Sequence, residues 1–391
     1  MNVENDAIRW TRKLIQIEST NPGKLEWDIA DALEMEVQEV LRTDGACVRE
    51  KTKEGRPIVM AAIPGEMVDK ELIFICHMDT VPVADGWSKD PFGAEVIGDK
   101  IYGRGACDMK SGLAAAFCAF LHIAKQVQMS GKNPKRTLKF IATCDEEGDM
   151  TGVERAIEVG WIGENSLVMD TEPTNGEIQT AHKGRYWYDL KIHGQAAHAS
   201  KPEEGIDAIA GMAYTIAAAR DRVNSLPKDD FLGKSTIVFG EIQGGIHPYQ
   251  VPENCQVSVD MRVTPQFTAE DMKRMLEEAI RDAAEKVPGL TGTVKITGNR
   301  PPVAHYEKSE LLRRLKNSIQ NVTGNIPAIS AFSGYTDTAV IAGILNNRNC
   351  VSYGPGNLAQ AHKQDEYVLM NEIHRCADVY YHLAEEWVCK N

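Results

Sequence analysis

Apolar positions recur at helical spacing over Asp6–Ile17 and Trp27–Arg42, so the chain is expected to open on two amphipathic helices. Four short apolar runs follow: Ile58–Ile63, Leu72–Cys76, Leu138–Thr143 and Leu167–Met169. Runs without polar alternation suit strands buried on both faces, as in a parallel sheet. Helical stretches, Lys110–Gln128 and Thr151–Val159, separate several of them. A further run, Cys350–Tyr353, precedes a Gly-Pro-Gly turn. The chain closes with Ile373, Ala377, Tyr380, Ala384 and Trp387 at helical spacing. This alternation predicts an α/β domain with helices on both faces of a mostly parallel sheet.

The middle of the chain has a different rhythm. Tyr186–His193 alternates with period two, Ile206–Val223 is helical, and Ser235–Gln243 and Gln256–Val263 read as strands. Thr268–Glu285 reads as a helix and Gly292–Thr297 as a last strand. The order β-α-β-β-α-β is that of a ferredoxin-like α+β unit. We therefore expect a domain built from 1–179 and 296–391, interrupted by a small inserted domain at 180–295.

Composition narrows the function classes. The 391 residues hold 43 Lys+Arg against 56 Asp+Glu, a formal net charge of −13. That balance argues against nucleic-acid binding and against a basic membrane-surface role. No apolar run approaches the ~20 residues of a membrane span. The first residues are acidic and carry no apolar signal core, and the nine cysteines are scattered without CxxC spacing. Reduced thiols in a cytoplasm are the expectation.

Five clusters carry candidate chemistry. His77 and Asp79, two apart at a strand end, can face one cleft. Asp108 ends a Gly103-Arg104-Gly105 turn, where it is either a ligand or the N-cap of the next helix. Asp145-Glu146-Glu147 places three carboxylates in a row after a strand, which either a cation or solvent must relieve. Asp170 and Glu172 follow another strand, and His362 lies in the loop before the last helix. Taken singly, each has an ordinary reading as a turn or surface group. Together they fall at strand ends and a loop of one α/β domain, where such sheets bind ligands. Imidazole and carboxylate without thiolate suit catalytic zinc, manganese or cobalt.

With these motifs in this order, the chain resembles the dinuclear metallohydrolase family of acetylornithine deacetylase, succinyl-diaminopimelate desuccinylase and carboxypeptidase G2. The resemblance rests on His77-x-Asp79-Thr-Val-Pro, Trp87, Asp90-Pro91-Phe92, Gly103-Arg104-Gly105-x-x-Asp108-Met109-Lys110, Asp145-Glu146-Glu147 and Glu172-Pro173-Thr174. It extends to Gly194-x-x-Ala197-His198-Ala199-Ser200-x-Pro202, Val259-Asp260-Met261-Arg262 and Gly354-Pro355-Gly356 with His362, nearly the whole chain. It implies a phosphorylase/hydrolase-like catalytic domain with an inserted lid that also forms a homodimer interface.

The resemblance also implies residue roles. His77 and Glu172 would hold one divalent metal, Glu147 and His362 the other, with Asp108 bridging. Zinc is the first choice, cobalt or manganese the alternatives. Asp170 is the alternative to Glu172, because Asp170-Thr171 here precede the Glu-Pro-Thr motif. Asp79 would orient His77. Glu146 would be the general base on a water activated by two metals, and His198 would hold the oxyanion from the lid. Arg262 and Asn254 would bind substrate, with Arg185 a weaker candidate. Ser333-Gly334-Tyr335-Thr336-Asp337 either lines the pocket or caps a helix.

The function expected is hydrolysis of the amide bond of an N-acyl amino acid or short peptide. Aminopeptidase or dipeptidase activity within the same family is the alternative. A catalytically inactive, small-ligand-binding relative is a further one, but it should have lost a ligand or the base, and none is missing here. A serine or cysteine hydrolase lacks its motif.

Overall fold

The computed structural model describes residues 3–42, 47–332 and 334–389, apart from the side chain of Val68. Ser333, named above as a pocket residue, lies outside the described residues. The chain divides into two compact units. The first holds the chain up to Thr180 and, again, Tyr306–Phe332 and the part from Thr336 on; the second is chiefly Ala181–His305.

The first unit is built on an eight-stranded sheet. Its strands run in the spatial order Cys47–Lys51, Pro57–Ile63, Arg136–Thr143, Met67–His77, Leu167–Asp170, Cys350–Ser352, Ile178–His182 and Ile329–Phe332. The centre is parallel: Met67–His77 pairs with both Arg136–Thr143 and Leu167–Asp170, and Leu167–Asp170 with Cys350–Ser352. One expectation is corrected here. The run Ile58–Ile63 forms a strand, but Pro57–Ile63 is antiparallel to both neighbours. An apolar run reports burial on both faces, not strand direction.

Helices Val3–Ile15, Ser111–Ser130 and Met370–Cys389 pack on one another. Trp10 meets Phe117 edge-on at 4.9 Å, and Phe117 meets Phe140 of the sheet at 5.1 Å. All three are fully buried, and burying such a side chain is worth about 1.5–3 kcal/mol. Among the described residues only the stretch Ala106–Ser130 is long and apolar enough to cross a membrane, and 94% of its apolar window is buried in the fold. That stretch is a core helix. At its start, a Cβ on Gly112 would lie 2.1 Å from the Thr171 carbonyl, and one on Gly354 at the same distance from the other side. The two glycines let the helix start and the Gly354 loop close directly on the chain leaving the strand Leu167–Asp170.

The second unit is a four-stranded antiparallel sheet in the order Thr236–Gly244, Asn254–Val263, Gly184–His193, Thr291–Arg300. Helices Ala208–Asn224 and Ala269–Lys286 pack against each other. Tyr188, Leu190, Ile192, Val257, Val259 and Met261 point into their shared core. The next residues along each strand point to the opposite face. Thr268 and Asp271 close the second helix with a reciprocal capping box.

Candidate metal centre

His77 is the last residue of the strand Met67–His77, so its ring emerges where the parallel strands end. Its Nδ1 meets the Asp79 main-chain carbonyl at 2.9 Å, which turns Nε2 towards a set of acids. Nε2 lies 3.1 Å from Asp108 Oδ1, 3.6 Å from Glu172 Oε1 and 4.0 Å from Glu146 Oε2. The other Asp108 oxygen, Oδ2, lies 3.5 Å from Nε2 of His362, which also meets Glu147 Oε1 at 3.0 Å. One carboxylate thus stands between two imidazoles. Asp108 does not cap the following helix: it has non-helical backbone, and the cap position falls to Lys110, with no side-chain hydrogen bond.

Burial and neighbouring charges shift the titration of the whole cluster. Burial, then the charges of Asp108 and Glu146, push the Glu172 carboxyl well up. Burial, with Glu147 and Asp337 adding to it, does the same to Glu146. Burial and then Asp108 raise Glu147. Burial alone would push His77 down, but Asp108, Glu146 and Glu172 outweigh it and hold the ring well above its usual value. Hydrogen bonds that the ring donates to Asp108 and Glu147 lift His362 to about 10. Carboxylates and imidazoles crowded in this way are a donor set whose mutual repulsion a cation would relieve. His77, Asp108 and Glu147 offer ligand atoms within 4.8 Å of one another, and so do His77, Glu146 and Glu172. Imidazole and carboxylate donors of this kind fit divalent transition metals.

A second layer holds these groups, and Asp79 takes part with its main-chain carbonyl on His77 and its carboxylate elsewhere. The Asp79 carboxylate is 3.7 Å from His77 Nδ1; its hydrogen bonds come instead from the backbone N–H of Glu146 at 3.1 Å and Glu147 at 3.2 Å. Asn21 Nδ2 donates to Asp79 and to Asp145, 3.0 Å each. Asp145 therefore faces away from the acids: its carboxylate accepts from Thr151 Oγ1 at 2.6 Å and is bound by the Arg56 guanidinium. Arg56, buried, also pairs with Glu26. Sequence reasoning passed over Arg56, Glu26 and Asn21. Their only signal was an isolated charge or amide beside an apolar run.

Glu172 belongs to the cluster, whereas Asp170 is turned to Thr338, whose Oγ1 donates to it at 2.7 Å. The remaining expected residues belong to the second unit. His198 is exposed on the short strand Ala197–His198, with Nδ1 2.8 Å from Ser200 Oγ. Arg262 is held by Asp260 at 2.8 and 3.2 Å. Asn254 pairs with His193 at 2.8 Å. Arg262 and Asn254 of one chain are far from each other. They stand near opposite ends of the strand Asn254–Val263, about 26 Å apart at ~3.3 Å per residue. Arg262 has other neighbours: it lies directly opposite Arg185, which lies directly opposite Arg300.

Residues 73–386 match the profile of peptidase family M20/M25/M40. The chain is 30% identical to the succinyl-diaminopimelate desuccinylase of Wolinella succinogenes, covering 70% of this chain and 75% of that one. It is 28% identical to the acetylornithine deacetylase of Buchnera aphidicola, covering 76% and 75%. Its fold is shared with a metallo-carboxypeptidase of Sulfolobus solfataricus, at TM-score 0.76 and 18% identity over 98% of this chain and 99% of that one. It is shared too with a dinuclear metal-binding peptidase of Bacillus subtilis, at TM-score 0.72 and 15% identity over 98% and 97%. The chain belongs to the M20/M25/M40 family. It is a metal-binding hydrolase of amide or peptide bonds.

Proposed function

We propose that this enzyme uses two divalent metal ions, zinc first, to hydrolyse the amide bond of an N-acyl amino acid or short peptide. The observation that carries the reading is Asp108, one oxygen 3.1 Å from His77 and the other 3.5 Å from His362. In this reading His77 and Glu172 would hold one ion, Glu147 and His362 the other, and Asp108 would be shared between them. Metal ions bound there polarise the scissile carbonyl and acidify water. Glu146, aimed at the same space but left out of the ligand set, takes the proton of the attacking water and returns it to the leaving amine. His198 keeps the role the family resemblance gives it, that of a donor to the developing oxyanion.

We place a free substrate carboxylate at Arg262. The row Arg262–Arg185–Arg300 sets three arginines directly opposite one another on neighbouring strands. Like charges directly opposite on neighbouring strands are destabilising unless an anion relieves them. Asp260 supplies one carboxylate, and a substrate carboxylate is a second. This favours deacylase or carboxypeptidase activity over aminopeptidase activity.

We assign the homodimer contact to the edge strand Thr236–Gly244. It exposes Val238 (58%) and Ile242 (57%), an apolar edge that a second copy would cover. The nine thiols, none in a disulfide, support a reducing, cytoplasmic setting.

The test strips the protein with a chelator and restores Zn²⁺, Co²⁺ or Mn²⁺. It then measures amine release from N-acetyl, N-succinyl and N-glutamyl amino acids and from dipeptides. Metal-restored cleavage of a carboxylate-bearing substrate is expected. Cleavage confined to peptides blocked at the carboxyl end would overturn the role of Arg262.

A further inference from the structure

The loop carrying His362 poses a mechanical problem. A metal ligand needs a fixed ring, yet the His362 side chain is 51% exposed and its backbone φ is +63°. Asp365, three residues on, also has positive φ, at +50°. Backbone in this region holds only where neighbours over-determine it. Asp365 is tied to Ser88 by two bonds, at 2.9 and 2.6 Å. The stronger anchor is the next residue.

Glu366 is 1% exposed, and its partners all come from the Asp108 turn. Oε2 meets Arg104 Nη1 at 2.5 Å. Oε1 accepts the backbone N–H of Cys107 at 2.9 Å and that of Asp108 itself at 3.1 Å. Its main-chain carbonyl accepts Gly103 N–H at 2.9 Å. The Arg104 guanidinium is held in turn over the Trp87 ring, 5.2 Å from its centroid. A buried carboxylate with one guanidinium nitrogen and two amide donors has both of its oxygens engaged. Shortening it or removing its charge leaves a buried donor unpaired.

We propose that Glu366 is a positioning residue of the metal centre: it fastens the backbone of Asp108 to the loop that carries His362, so that these two ligand arms form as one piece. The His77 arm is fixed separately, by its strand and the Asp79 carbonyl. Loss of the staple therefore weakens chiefly the ion held by His362 and Glu147, which loses both its loop and its bridge, and to a smaller degree the ion held by His77 and Glu172, which is disturbed only through Asp108. This rests on the two-ion reading above.

The experiment titrates chelator-stripped protein with Zn²⁺ by calorimetry and follows its thermal unfolding separately. Wild type, Glu366→Gln, Arg104→Lys and, as a yardstick for loss of the ligand, His362→Ala are compared. The expected result is two equivalents in wild type. In Glu366→Gln one equivalent is weakened about 10–100-fold, the range for residues that orient ligands. That equivalent should be the one His362→Ala removes. Arg104→Lys, which keeps the charge and loses the guanidinium, shows the same split to a smaller degree and decides the matter should Glu366→Gln not fold. Lowered unfolding temperature with both equivalents at wild-type affinity, or equal weakening of both, would overturn the proposal. A single equivalent in wild type would overturn the two-ion reading itself, and the proposal with it.

Discussion

The Asp79 carboxylate grips the backbone of Glu146, accepting its N–H at 3.1 Å, rather than the His77 ring beside it. The same carboxylate takes the Glu147 N–H at 3.2 Å. One aspartate therefore sets the direction of Glu146, the proposed base, and of Glu147, a proposed ligand, together. Asp79→Asn should turn an amide donor towards these N–H groups or towards Asn21. Turnover or metal affinity is expected to fall about 10–100-fold, measured by steady-state kinetics at saturating metal and by metal titration. Wild-type values in both would remove Asp79 from this role.

Arg56 neutralises acids behind the centre. It pairs with Glu26 and Asp145 and lies 3.8 Å from Asp79, with 10% of its side chain exposed. Arg56→Met leaves buried carboxylates uncompensated, and removing one partner of a buried pair costs about 3–5 kcal/mol. Urea unfolding should show this loss, and the double variant with Glu26→Gln should recover part of it. A loss under about 0.5 kcal/mol, the scale of a neutral surface change, would contradict the account.

Asp170 and Glu172 are two residues apart with opposite assignments. Glu172→Gln is expected to lower metal content by one equivalent, measured by elemental analysis after dialysis. Asp170→Asn should keep full metal content, because its carboxylate is bonded to Thr338 at 2.7 Å. The reverse pattern would make Asp170 the ligand.

The metal-free protein should lose stability as pH rises. Glu146, Glu147 and Glu172 are held above their ordinary 4.5, and His77 and His362 above 6.5, the last at about 10. Folded-state values above the unfolded ones mean that the folded form binds more protons. This contribution is complete below the unfolded values and is lost as pH climbs through the folded ones. Asp108, held below 3.8, acts in the opposite sense only at more acid pH. Each proton involved is worth up to ~1.4 kcal/mol per pH unit. Unfolding temperatures of the chelated protein are expected to fall between about pH 6 and about pH 9, and added Zn²⁺ should reverse the trend, because it needs the deprotonated ligands. A chelated protein equally stable across that span would contradict these shifts.

Much of the centre was legible because strand ends advertise themselves: His77 and Glu146 each follow an apolar run too short to be anything but a buried strand. The helix Glu310–Thr323 is absent from the sequence reading, although Leu311, Leu312, Leu315 and Ile319 recur at helical spacing behind Ser309 as its cap. The direction of the strand Pro57–Ile63 was not legible, because direction depends on which strand lies alongside. The buried partners were hidden for the same reason. Arg56 finds Asp145 across 89 residues of chain, and Glu366 finds Asp108 across 258. No local period encodes either pair. The backbone carbonyl of Asp79 outcompeting its own carboxylate for His77 is a matter of a single ångström, beyond any spacing rule.

The central claim is that Glu146 is the base and not a ligand. The direct measurement is Glu146→Gln, stripped, reloaded with Zn²⁺ and assayed beside wild type on a substrate that wild type cleaves. The account predicts unchanged binding of two equivalents and turnover lower by about 10²–10⁴-fold, the scale of a lost general base. Wild-type turnover, or loss of a metal equivalent along with activity, would contradict it.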